Sequence, residues 1–333
     1  MHKPMQSPTR EKQAGARRQE LAKLVALVEN IARSRGEKLA AAKAIMREAW
    51  DLGKQNEIAE RRDQCGGISA DEIIRQQGEL CRNAGVNSIG EYNIKRAGLC
   101  EQAIKILEEL IPQTPTSELF LELFHARFLQ GHSLESNDHG SLEAARIFAK
   151  AIEAFDKVDL KDRDEGSWSN ALGASYKRCS ILLHQDAAQA VIAFDKHVSL
   201  LSESPKAGTS SNLLSIAHAK WFRAVAILNP PSDEHLRGAI IYAEEHWELP
   251  KSLQNKRVKS AFLDAARAFE AAIFASFRDI ERGQKKDSLG INHAFESMNR
   301  SFLMAGEPGK AEEARQRIAS EWGRIEAKQS KEN

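Results

Sequence analysis

Five short stretches of the chain place a small residue four positions before a bulky residue, which itself stands three before a third. They are Ala103-Leu107-Leu110, Ala144-Phe148-Ala151, Ala190-Phe194-His197, Gly238-Tyr242-Glu245 and Ala311-Arg315-Ile318. Positions three and four apart fall on one face of an α-helix, so each stretch offers a notch for a neighbouring backbone and a side chain to fill the space beside it. One amphipathic hairpin cannot bury such a face alone. The recurrence therefore predicts helix pairs stacked on one another rather than a single closed domain. Pro115 and Pro250 each stand eight residues beyond the bulky position of their stretch.

Composition agrees with an all-α chain. Strong helix formers dominate, prolines number only 9 among 333 residues, and no run alternates Val, Ile and Thr. An apolar share of 42% supplies a core. Lys plus Arg (48) balances Asp plus Glu (47), so no overall field draws the chain to nucleic acid or anionic membranes. No apolar run reaches the ~18 residues of a membrane span. The polar, basic start carries no secretory signal, which leads to the expectation of a cytoplasmic protein. Cys65, Cys81, Cys100 and Cys179 form no C-x-x-C pair and have no histidine at zinc-ligand spacing. They read as half-buried thiols, with a Cys81–Cys100 disulfide as the alternative.

The chain divides into four parts. Residues 1–19 form a disordered basic arm; over residues 1–20, Lys3, Arg10, Lys12, Arg17 and Arg18 against Glu11 and Glu20 leave +3. Residues 20–94 form an N-terminal helical region: a hairpin over 20–62 and a helix–turn segment over 69–92, opened by a capping box at Ser69–Glu72. Residues 95–327 hold the helical repeats, and 328–333 are a frayed tail. A helix starting near Asn93 stops at Pro112 and Pro115. Further helices are expected at about 118–130, 141–157, 167–184, 186–202, 211–228, 233–247, 254–282, 290–305 and 308–327. Polar loops are expected at His132–Gly140 and Glu203–Ser210.

From Trp168 onward the chain resembles tetratricopeptide repeats, in which two antiparallel helices carry W-x2-L-G-x2-Y and then A-x3-F. Leu172, Gly173 and Tyr176 fall on that spacing, with Trp168 one residue early, and Ala190 and Phe194 supply the second helix. Phe262, Ala265, Ala266 and Phe269 repeat the first-helix pattern. Phe295, Met298, Phe302, Gly306 and Ala311 repeat the whole order, with Gly306–Gly309 as the interhelix turn and Pro308 opening the next helix. The resemblance implies a right-handed superhelical stack of antiparallel helix pairs, an α-solenoid. It also places Gly173 and Tyr176 in the packing face. Two features depart from the family: steps of 41, 46 and 48 residues separate Ala103, Ala144, Ala190 and Gly238, and Arg315 replaces an aromatic.

No P-loop, dinucleotide fingerprint, H-E-x-x-H or nucleophile elbow occurs. Glu244, Glu245, His246 and Glu248 spread around a helix instead of converging. His125, His132 and His139 lie seven apart, the last two in the expected polar loop. No catalytic residue, metal or cofactor is therefore assigned. In the register of the resemblance, Asn170, Lys177 and Arg178 face a groove, with Arg223 one repeat along, and these side chains suit a peptide backbone and carboxylate. The expected function is a non-enzymatic, cytoplasmic scaffold, adaptor or regulatory subunit that binds a protein or peptide. The hairpin over 20–62 either caps the stack or mediates self-association. The alternative is a nucleic-acid-linked regulator using the basic arm and residues 70–95, where Leu80–Ser88 resembles a helix-turn-helix turn. Gly90 and Glu91 depart from that pattern.

Overall fold

The computed structural model describes residues 35–64, 88–138, 140–246, 248–283 and 288–332. The basic arm, the first helix of the 20–62 hairpin, the Ser69 capping box, residues 69–87 of the helix–turn segment, Cys65 and Cys81 lie outside the described residues. The described residues contain eleven α-helices and no strand: α1 Arg35–Gln64, α2 Ile89–Leu110, α3 Ser117–Asn137, α4 Leu142–Asp156, α5 Glu165–Gln185, α6 Ala187–Glu203, α7 Ser210–Leu228, α8 Asp233–His246, α9 Lys256–Glu281, α10 Ser288–Met304 and α11 Pro308–Glu332. Single 3-10 turns at Leu160–Asp162 and Lys251–Leu253 precede α5 and α9.

Polar caps set where the helices begin. The side chains of Ser88 and Thr116 accept from the N–H groups of Glu91 and Leu119 at the starts of α2 and α3. Ser141, Asp164, Asp186, Thr209, Ser232 and Asn255 do the same for α4 to α9, each accepting from the N–H three residues on. Each such bond satisfies one of the four N–H groups that a helix start leaves without an internal acceptor. The six caps from Ser141 to Asn255 lie 23, 22, 23, 23 and 23 residues apart. A helix pair here thus takes 45 or 46 residues, which accounts for the long steps between the small-residue notches.

The chain divides into two compact units between Arg178 and Cys179, within α5. In the first unit α1 packs on α2 and α3, α2 on α3, and α3 on α4. Ala42, Ile45, Met46 and Ala49 line the buried face of α1. Lys38 reaches Glu109 at 3.2 Å, and Lys43 reaches Glu118 and Glu122 at 2.5 and 3.7 Å. Phe155 is the hub of an aromatic core, its ring centroid 5.1 Å from Phe124 and 5.1 Å from Trp168. Arg163 closes the connection from α4 to α5. Its guanidinium lies 4.6 Å from the Phe155 ring centroid and donates to the carbonyls of Val158 and Asp156 at 2.9 and 3.1 Å.

In the second unit α7 packs on α6 and α9, α8 on α10, and both α9 and α10 on α11. One cluster joins Phe269, Ile273 and Phe277 to Met298, Phe302, Ala311 and Ile318. Another joins Val225 and Leu228 to Ala239, Ala243 and Phe262. Truncating a fully buried ring such as Phe262 to alanine costs about 3–5 kcal/mol. Gly306 ends α10 at φ +67°, the Glu307 N–H donates to the Phe302 carbonyl at 2.9 Å, and Pro308 opens α11. The turn is the one the sequence predicts.

Several expectations need correction. The helix forecast to end at 130 continues to Asn137, because no proline or cap interrupts Gly131–Asn137; His132 therefore lies on α3 and not in a loop. α11 runs on to Glu332, past the forecast tail boundary. Tyr176 is 55% exposed, whereas Trp168, Ala171, Ser175, Cys179 and Leu182 form the buried stripe of α5; the packing register follows Trp168. Gly238, Tyr242 and Glu245 lie on the exposed side of α8, and Ala239 and Ala243, one position on, are the buried pair. Cys100 and Cys179 are fully buried thiols rather than half-buried ones.

Candidate functional site

The four residues singled out from the sequence have different surroundings. Asn170 and Arg178 are half-buried on α5. Lys177 donates to Glu135 of α3 at 2.6 Å. Arg223, on α7, holds Asp195 of α6 with its Nε and Nη2 at 2.5 and 3.3 Å. Arg178 and Arg223 belong to different units.

Lys177 belongs to a polar seam in the first unit. Arg96 of α2 is 4% exposed, and its charge, like those of Lys177 and Glu135, acts on His132 of α3. Burial first, then the charges of Lys177 and Arg96, push His132 down to about 4, against the opposing pull of Glu135. An imidazole held neutral in this way is a poor base. The Lys177–Glu135 pair joins α5 to α3 in this seam.

Arg223 leads to a more open feature. Two adjoining hollows of about 520 and 640 Å³ share Lys256, Ser260 and Leu263 and form one groove along the first turns of α9. One end lies at the turn around Gly306 and the other at Arg223 and Ile227 of α7. Lys256, Ser260, Leu263 and Arg267 follow one another at steps of four, three and four, which places them on one helix face. Ile227, Ala261 and Leu263 give the groove an apolar floor.

Its rim carries Arg223, Lys256, Arg257, Lys259 and Arg267 against two acids, Asp264 and Glu307. Both acids already have partners outside the groove: Lys220 at 3.0 Å from Asp264 and Lys310 at 3.1 Å from Glu307. Arg223 is matched by Asp195. Lys256, Arg257, Lys259 and Arg267 make no ion pair or side-chain hydrogen bond among the described residues. This contrasts with Arg300, Arg317 and Arg324 of the same unit, each joined to a glutamate at 2.8 Å or less. Sequence reasoning passed over these residues. Their signal was the run Lys256-Arg257-Val258-Lys259 directly after the cap Asn255, with no acid in the first turn of α9. Cations there face the positive end of the helix dipole, an arrangement each helix from α1 to α5 avoids with an acid in its own first turn.

Among the described residues no group of three or more His, Cys, Asp or Glu side chains is placed to hold a metal, and no helix is long and apolar enough to cross a membrane. The chain matches no family model and no curated protein sequence. Among solved structures it is similar to a chain from work on the computational design of self-assembling cyclic protein homooligomers. The match has 14% identity, covers 97% of this chain and 94% of that one, and has a TM-score of 0.24.

Proposed function

We propose that the protein is a non-catalytic scaffold that binds an extended, acidic segment of a partner protein in the groove along α9. The observation that carries this reading is the groove itself, with its apolar floor and four cations unmatched by any acid among the described residues. From Gln254 to Arg267 it follows fourteen residues of chain, mostly helical, or about 20 Å, which accommodates about six extended residues. No aromatic residue lines it, so it lacks the stacking platform on which single-stranded nucleic acids are held.

In this reading the helices form a right-handed superhelical stack of pairs, similar in kind to tetratricopeptide repeats but with 45–46 residues to the pair. The contacts of α7 with α9, α8 with α10 and α9 with α11 support it, because alternate helices touch when hairpins stack. An adaptor or a regulatory subunit is the role such a scaffold fills.

The test is a titration of the full chain with fluorescein-labelled decapeptides, one rich in glutamate and one rich in lysine. The acidic peptide should bind, the basic one should not, and Arg257→Glu with Arg267→Glu should abolish binding. Equal affinity for the two peptides, or an unchanged affinity in the double variant, would remove the groove as the binding site.

A further inference from the structure

The hollow lined by α7 and α9 has a counterpart on the chain itself. At the corner before α5 the turn Asp159-Leu160-Lys161-Asp162 closes with the Asp162 N–H donating to the Asp159 carbonyl at 2.9 Å. Such a turn holds the α-carbons of its two aspartates within ~7 Å and puts Leu160 and Lys161 at the tip. Leu160 is 71% exposed, the most of any large apolar side chain among the described residues. Asp159 and Asp162 are exposed and make no ion pair or side-chain hydrogen bond among the described residues. Over Asp159–Glu165 four acids stand against Lys161 and Arg163, and Arg163 is turned inward onto the Phe155 ring. A leucine displayed between acids in this way adds little to the packing of its own helices.

The turn is ordered in advance. The Asp159 N–H donates to Ser117 Oγ at 2.9 Å, and Arg163 ties the far side to the carbonyls of Val158 and Asp156. A segment already fixed loses little conformational entropy when it docks. The hollow supplies the complement: Ile227, Ala261 and Leu263 as an apolar floor, and cations spread along it, with Arg257 and Arg267 about 15 Å apart on α9. Asp264, the one acid lining this hollow, is held by Lys220. The cations meet at no single point, so they suit charges distributed along a segment, as Asp159, Asp162, Asp164 and Glu165 are.

We infer that the hollow receives the Asp159–Glu165 segment of a second copy of this chain, with Leu160 on the floor of Ile227 and Leu263 and the flanking acids against Arg257 and Arg267. This rests on the groove-binding reading above and names the partner, the bound segment being a preformed turn rather than a free strand. Turn and hollow are different patches, the one in the first unit and the other in the second. The contact is therefore head-to-tail, and every copy offers both halves of it. Seven residues are far fewer than the ~20–30 per side of a standard interface, so the association is weak, and its charge pairs make it sensitive to salt.

Sedimentation velocity of the full chain at stepped concentrations reads the association. The weight-average mass should rise with concentration and fall back on added salt. Leu160→Ser should weaken association about ten-fold or more, with the melting temperature unchanged because the side chain is exposed. Asp159→Arg with Asp162→Arg, and separately Arg257→Glu with Arg267→Glu, should each stay monomeric. An equimolar mixture of these two double variants should associate again, because the basic turn of one meets the acidic hollow of the other and the remaining turn and hollow are the parent pair. Recovery in the mixture separates a lost contact from a lost fold, and Leu160→Ser decides the matter if either charge variant misfolds. A mass independent of concentration, with the glutamate-rich peptide still bound, would sink self-association and leave the acidic-segment reading standing. A constant mass with no peptide bound would sink both. Association indifferent to Leu160→Ser would overturn this turn as the occupant.

Discussion

Gly131 of α3 lies against the ring of Phe148 of α4: a β-carbon on the glycine would stand 2.8 Å from Cε1 and 2.9 Å from Cδ1. Both residues are buried, so neither the ring nor the helix has free space to move into. Gly131→Ala should therefore destabilise the chain by about 1–3 kcal/mol, even though alanine is the better helix former. Gly173→Ala, where the nearest atom is Phe128 at 4.0 Å, should instead be neutral or stabilising by up to ~1 kcal/mol. Urea midpoints of the two variants separate these outcomes. Phe148→Leu in the Gly131→Ala background should recover part of the loss.

The turn at Gly306 depends on backbone freedom. At φ +67° an L-residue is strained, and a β-carbon would also press on Lys259 at 3.4 Å. Gly306→Ala should cost about 1–2 kcal/mol, whereas Gly309→Ala, with open space around it, should cost nothing measurable. Thermal melts of the two variants make the comparison.

Arg163 joins two backbone carbonyls and two aromatic rings at the corner before α5. Arg163→Ala should cost on the order of 2 kcal/mol, from lost charge-assisted hydrogen bonds and lost contact with Phe155 and Trp168. Arg163→Lys should recover only part of it, because an ammonium cannot stack its plane on a ring while reaching both carbonyls. Chemical denaturation followed by Trp fluorescence reads both variants.

Acid should weaken the fold before most carboxylates are protonated. Burial lowers both His132 and His197 from 6.5 to about 4. A histidine that is harder to protonate when folded favours the folded state fully above its unfolded value. That advantage is lost as pH falls from 6.5 toward 4, where the unfolded chain binds the extra proton. The loss is at most on the order of 3 kcal/mol per histidine. His197→Gln should flatten stability against pH between 6.5 and 4, measured by urea midpoints at stepped pH. An equally steep profile in that variant would place the sensitivity elsewhere.

Much of the helix order was legible because it rests on short-range signals. Pro112 and Pro115 stop α2, and Gly306 with Pro308 makes a turn in any helical context. Ala103, Ala144 and Ala190 proved buried because a small residue before a bulky one at helical spacing is a local property. The failures came where a face had to be chosen among near-equal options. On α8 the choice between Gly238-Tyr242 and Ala239-Ala243 turns on one position, about 100° of rotation, and only the packing of neighbours decides it. Tyr176 failed in the same way, since the buried Trp168 fixes the rotation of α5.

The cap spacing was readable and overlooked: Ser141, Asp164, Asp186, Thr209, Ser232 and Asn255 are visible without coordinates, but such residues also fill turns, and only their hydrogen bonds sort caps from the rest. The groove was less legible still. Arg223 was singled out through its register, whereas the isolation of Lys256, Arg257, Lys259 and Arg267 depends on where Lys220 and Lys310 direct the nearby acids, which is a matter of tertiary placement.

The unrelieved charge at the start of α9 also makes the chain a reporter of its own occupancy. A ligand that binds only the folded state stabilises it by about 2.7 kcal/mol at one hundred times its dissociation constant, a shift of a few degrees in melting for a unit of this size. Panels of acidic peptides can therefore be ranked by melting curves alone, with the untouched protein as its own sensor and the Arg257→Glu, Arg267→Glu double variant as the blank.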